Sequence, residues 1–184
     1  LNQFSYRFDQ ETAELAETHL DILATFDRDD LSAKDRLSYD LYEEQLKDQI
    51  EGLKWRDYRY QVNQMFGIQS GLPGFMMNMH RVKTEKDLQN YLARLNQLKS
   101  VFCELINNFM RSENNGVITP QFVFPKVIED SKNIISGNPF VKSKNDSPLF
   151  SDFKGKLKSL KLSKAKQEEY MKLGRSALLS SVGP

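Results

Sequence analysis

The chain has 184 residues, 39% hydrophobic and 28% charged, with a formal net charge of +1. That balance excludes a disordered chain and predicts a packed core, and no apolar stretch approaches the roughly 18 residues a transmembrane span requires. The charges are unevenly placed: residues 1–60 hold 15 Asp+Glu against 8 Lys+Arg, and residues 126–175 hold 12 Lys+Arg against 6 Asp+Glu, so the two ends either attract each other or face different partners.

Leu15, Leu20, Ile22, Leu23 and Phe26 recur near the helical period and predict a helix over Thr12–Phe26. After the polar break at Asp27–Asp30, Ser32 with Asp35 three positions on can cap a second helix. Its stripe of Leu37, Leu41, Leu46, Ile50 and Leu53 carries it to about Lys54. Between Trp55 and Val82 the apolar residues keep no steady spacing, and Gly67, Gly71, Pro73 and Gly74 punctuate the stretch. This predicts a long structured loop with at most a short helix. Thr84 with Asp87 opens the next helix, which carries Leu88, Leu92, Leu95 and Leu98 on one face and stops at Asn114-Asn115-Gly116. Thr119-Pro120 reads as cap and first-turn proline of a helix to Gly137, with a later start near Phe124 as the alternative because Pro125 is awkward inside it. Residues 137–148 read as a polar, mobile loop, Ser151–Leu160 as a short basic helix, and Ser163 as the cap of a last helix through Leu179. The fold class is therefore all-α: an irregular multi-helix array with one long structured loop, read as a single helical segment over residues 1–184.

Few residues here carry catalytic chemistry. His19 and His80 are the only histidines, and neither has a second His at the spacing a helical zinc site uses. The first reads as a solvated helix position, the second as a packing or hydrogen-bonding group. No glycine-rich phosphate cradle is present, and Ser70 lacks the strand-to-helix turn of a serine nucleophile. Glu43, Glu44 and Asp48 read as a charged helix face rather than an acid–base set. The basic end lacks interleaved aromatics, so no specific nucleic-acid binding is expected. Cys103, inside an apolar run, reads as a small buried hydrophobe; a lone cysteine excludes an internal disulfide and leaves the compartment open. Leu1 in place of methionine implies that any leader is already gone.

One constellation remains, the residues 56–64 followed by 67–73. Here Arg56, Tyr58, Tyr60, Asn63, Gln64, Gln69 and, further on, His80 cluster tyrosine hydroxyls, amides and a guanidinium beside irregular backbone. Such groups line a polar cleft that holds peptide-like ligands, or form a buried polar network that ties a loop down. Both readings stand.

Leu37-Ser38-Tyr39-Asp40-Leu41, Arg56-Asp57-Tyr58-Arg59-Tyr60, Val62-Asn63-Gln64-Met65-Phe66-Gly67, Leu72-Pro73 with Phe75, Phe124-Pro125-Lys126-Val127 and Ser181-Val182-Gly183-Pro184 together resemble the bacterial proteins grouped as domain of unknown function 885. That family is similar to helical zinc metallopeptidases of the gluzincin type, which include angiotensin-converting enzyme, thimet oligopeptidase and carboxypeptidase Taq. The resemblance runs from about Leu31 to Pro184 and matches the N-terminal portion of the family. It implies the N-terminal part of a larger peptidase-like hydrolase, with zinc bound in the full-length parent by a His-Glu-x-x-His helix beyond Pro184, and no metal or cofactor held by this chain. It further implies one wall of a substrate channel, contact with the remainder of its own polypeptide and with a peptide substrate, and a periplasmic or cell-envelope location, often as a lipoprotein, with the cytoplasm as the other possibility. On this reading an apolar face near Leu178, Leu179 and Val182 is left open or covered in a homodimer. The alternative is a self-contained helical protein-binding module without a large exposed apolar patch.

Overall fold

The computed structural model describes residues 4–65 and 67–184, with seven α-helices and no strand among them. These residues gather into two compact units, one of residues 60–109 and 118–184, the other of residues 4–59 and 110–117.

The second unit is built on a helical hairpin. Helix α1 (Tyr6–Leu23) starts earlier than its apolar spacing predicts, because the Ser5 hydroxyl accepts from the Phe8 amide and satisfies one of the orphan donors of the first turn. The expected extension to Phe26 stops at Leu23. Helix α2 (Ala33–Gly52) has the predicted Ser32 cap, whose hydroxyl accepts from the Asp35 amide at 3.3 Å. The two helices face each other through small and medium residues, and only Ala13, Ala16 and Leu46 of the hairpin's hydrophobic residues are buried. Leu15, Ile22, Phe26, Leu37 and Leu41 are all more than half exposed. A 3₁₀ turn at Arg56–Tyr58 follows α2.

In the first unit the expected loop is more helical than its glycines imply. Helix α3 (Ile68–Gly74), with Pro73 inside it, runs directly into a π-helical turn at Phe75–Met79. The 30-residue α4 (Glu85–Asn114) opens with a reciprocal cap: the Thr84 amide donates to the Asp87 carboxylate at 2.9 Å and the Asp87 amide to the Thr84 hydroxyl at 3.2 Å. This satisfies two orphan donors at once. Its predicted stop is a left-handed cap: Gly116 has φ +74°, and the Gly116 and Val117 amides donate back to Glu113 and Ser112. That pair of bonds closes the last carbonyls and needs a residue tolerant of positive φ. A 3₁₀ turn over Gln121–Val123 leads into α5 (Phe124–Ile134), with Pro125 in its first turn, so the later of the two expected starts is the one adopted.

The polar stretch after α5 is closed rather than loose. The Asn138 amide donates to Asn145 and the Ser147 amide to Asn138, both at 2.8 Å, and Lys154 pairs with Asp146. Gly137, at φ +94°, makes the turn possible, since a Cβ there would crowd the Asn145 carbonyl. Helix α6 (Pro148–Ser159) is capped by Ser147, and α7 (Lys164–Ala177), capped by Ser163, ends in a second π-helical turn at Leu178–Val182. The core of this unit joins Leu88, Leu95 and Leu98 of α4 to Leu149, Phe150, Phe153 and Leu157 of α6 and Leu178 of the final turn, all nearly inaccessible to solvent. Gly174 is buried where α7 lies on α6, because any Cβ there would overlap the Phe153 ring.

Two apolar expectations are corrected. Cys103 is exposed, because the buried stripe of α4 passes through Val101 and Leu105 on either side of it. Leu178 is fully buried, whereas its neighbour Leu179 is 44% exposed. The Leu178 side chain is turned into the core and Leu179 away from it.

Candidate functional site

The seven site residues read from the sequence fall in both units. In the hairpin unit, Arg56 is buried and fully engaged: its Nε pairs with the Asp9 carboxylate, its Nη1 donates to Asp57 at 2.9 Å and its Nη2 to the Phe4 carbonyl at 3.2 Å. Its guanidinium also lies over the Tyr6 ring, as does that of Arg111. A buried guanidinium with two acid partners and an aromatic face is a structural joint, and removing either side leaves an uncompensated charge. Tyr58 is exposed, edge-on to Trp55 at 5.6 Å. A polar recess of about 180 Å³ lies beside them, lined by Asp9, Asp48, Arg56 and Arg59 among others.

In the other unit, Tyr60 and Gln64 are exposed and Asn63 is half-buried. The Gln69 carboxamide is buried against Gly67 and donates to the Asn63 carbonyl at 2.9 Å, while its Oε1 has no hydrogen-bond partner. Gly67 is required for this close approach, since a Cβ would collide with the carboxamide.

His80 lies in a separate polar cluster of that unit. Its ring is buried edge-on against Tyr91 at 5.2 Å, with Nδ1 2.5 Å from Arg94 Nη1 and Nε2 3.2 Å from the Asp87 carbonyl. Burial first, and then the cations Arg94 and Lys156, push its pKa below the ordinary value. The Tyr91 hydroxyl donates to Asp152 at 2.9 Å, and burial together with that carboxylate pushes the phenol well above its usual range. Lys156 donates to Asp152 at 2.7 Å and to the Met76 and Met77 carbonyls at 2.7 and 3.1 Å. The ammonium thereby satisfies carbonyls of the π-helical turn. Sequence reading missed Tyr91, Arg94, Asp152 and Lys156, which lie far along the chain from His80. The available signal was Tyr91, a hydroxyl-bearing residue inside the leucine face of α4, and the Asp152–Lys156 pair four apart on a helix.

An apolar cleft of about 350 Å³ opens on the same unit, lined among others by Phe102 and Ile106 of α4, Ile134 and Ile135 at the end of α5, and Val182 of the final turn. Ile106 is 53% exposed.

No group of three His, Cys, Asp or Glu side chains among the described residues converges to hold a metal ion. A zinc ion would find no ligand set on them. The chain from residue 1 to residue 184 matches the family described as "Bacterial protein of unknown function (DUF885)". The chain belongs to this family. No curated protein and no solved structure matches it. In this DUF885 member no helix among the described residues is long and apolar enough to cross a membrane.

Proposed function

We propose that this chain is the N-terminal, substrate-channel-forming part of a zinc metallopeptidase- or carboxypeptidase-like bacterial protein, not catalytic alone. The observation that carries the reading is the open apolar cleft beside α4 and α5, whose Ile106 is too exposed for a finished core position. Family membership over the whole chain supports it, and the peptidase part of the reading rests on the resemblance drawn from the sequence motifs. Zinc then belongs to the remainder of the parent polypeptide, which covers the cleft, and a periplasmic or envelope location, often as a lipoprotein, follows from the same similarity.

Within this reading Tyr60 and Gln64, both exposed, are the side chains of their unit that meet a peptide, and Tyr58 presents a further exposed hydroxyl in the hairpin unit. Arg56, Gln69 and His80 are buried and shape the backbone around them. Metal analysis of the purified chain is expected to find no stoichiometric zinc, and tight zinc binding would overturn the assignment. The full-length parent should hydrolyse small peptides and lose that activity to a chelator; a parent with no chelator-sensitive hydrolysis sinks the peptidase reading. A self-contained binding module predicts instead a monomer without a large exposed apolar patch. Homodimerisation of the isolated chain over the cleft, read by sedimentation, would point to self-covering of that face.

A further inference from the structure

We propose that His80 is an acid-sensitive clamp: as a neutral ring it ties the π-helical turn Phe75–Met79 to α4, and on gaining a proton it loosens that tie.

The geometry assigns the ring's protonation. Arg94 is a donor with no acceptor to offer, so Nδ1 beside it must carry the lone pair. The proton then sits on Nε2 and is donated to the Asp87 carbonyl. A second proton on Nδ1 would turn the Arg94 contact into donor against donor and cation against cation.

The groups facing the ring offer no new partner. From α4 come Asp87, Tyr91 and Arg94, and from α6 Lys156 with, behind Tyr91, Asp152. The Asp87 carboxylate already accepts from the Lys83 and Thr84 amides and the Thr84 hydroxyl. Asp152 already accepts from Tyr91 and Lys156. Burial and the two cations lower the pKa of the ring and outweigh the Asp87 carbonyl and carboxylate, which pull the other way.

The consequence is local. His80 terminates the π-helical turn, its amide donating to the Phe75 carbonyl at 3.0 Å, and its side chain pins that end to α4. The Arg94 guanidinium that binds the ring also lies over the Phe75 ring. Lys156 holds the Met76 and Met77 carbonyls from α6. A charged His80 loses the Arg94 half of its attachment to α4, while its Nε2–H bond to the Asp87 carbonyl and the Lys156 bonds remain, so the turn is loosened rather than freed. Because the folded pKa lies below the ordinary value of about 6.5, the clamp is at full strength above that pH and weakens as pH falls through the lowered value.

Hydrogen exchange on the whole chain at about pH 7.5 and about pH 5, corrected for intrinsic exchange, tests this. Amides of residues 75–83 should open more at the lower pH relative to those of the α4 core, by severalfold and by no more than about 30-fold, the ceiling set by the gap of about 1.5 between pH 5 and the ordinary histidine value. His80→Gln, which keeps a donor and an acceptor without titrating, should abolish that difference. An unchanged segment in wild type, or the same pH response in His80→Gln, overturns the clamp. Should His80→Gln fail to fold, NMR titration of the imidazole in wild type, assigned with His19→Gln, decides instead. An Nε2–H tautomer titrating below the ordinary value is expected; an Nδ1–H tautomer, or titration at or above that value, refutes it.

Discussion

The unit of residues 60–109 and 118–184 interlocks α4, α6 and α7: Tyr91 lies tilted against Phe153, Gly174 closes on the same ring, and Tyr170 reaches Glu85 and Gln89 with its hydroxyl. In the hairpin unit α1 and α2 mainly have each other, and their leucines and isoleucines are left largely outside. Both units carry helices with apolar residues at helical spacing, so the difference lies in how many helices share a face. Two helices can seal only the line between them, while a third buries the flanks. The hairpin carries charged ties as well: Arg56 pairs with Asp9 at its open end, and Arg28, in the connecting turn, is bidentate to Asp40 of α2 at 2.7 Å for each bond.

Several substitutions would break or sharpen this contrast. Phe153→Ala removes the ring at the centre of the three-helix core and should cost about 3–5 kcal/mol in urea unfolding, whereas Leu46→Ala in the half-open hairpin should stay near about 2 kcal/mol, the low end for a buried leucine. Equal losses would mean that the hairpin is as tightly packed as the core. Gly174→Ala should destabilise by about 1–3 kcal/mol through overlap with Phe153. Gly155→Ala, also in a helix but with open space around it, should instead stabilise by about 0.5–1 kcal/mol; a thermal melt of the two variants side by side would show opposite signs. Thr84→Ala should cost about 1 kcal/mol by uncapping α4, with increased exchange of the Asp87 amide as its local signature. Smallest of all, Asp40→Asn should leave the melting temperature near the wild-type value at high salt, since both partners of its ion pair are well exposed.

Much of the helix framework was legible because its signals are local. Ser32, Thr84 and Ser163 sit within four residues of the amides they cap, and Asn114-Asn115-Gly116 holds the whole geometry of its stop within five. The start at Ser5 was hidden, since Tyr6 to Gln10 show no apolar repeat to announce a helix. The helicity of Ile68–Met79 was hidden by Gly71, Pro73 and Gly74, residues that normally interrupt one; there the turn is secured by Lys156, about 80 positions away. Of the candidate site, the cluster of polar residues after Arg56 was visible as a group, but whether each is exposed or buried was not. Arg56 and Tyr58, two positions apart, end in opposite situations: one is enclosed by Asp9, Asp57 and Tyr6, the other faces solvent beside Trp55.

By itself the sequence determined the all-α class, the capped boundaries of most helices and membership of the family, because each rests on contacts or residue order within a short span of chain. Only the tertiary structure decided which apolar residues are sealed, why Cys103 is exposed and Leu178 buried, and that His80 is held as a neutral ring. The physical reason is that burial and protonation depend on what lies across the gap from a side chain, and those neighbours, Arg94 and Lys156 above all, are placed by packing rather than by position in the chain.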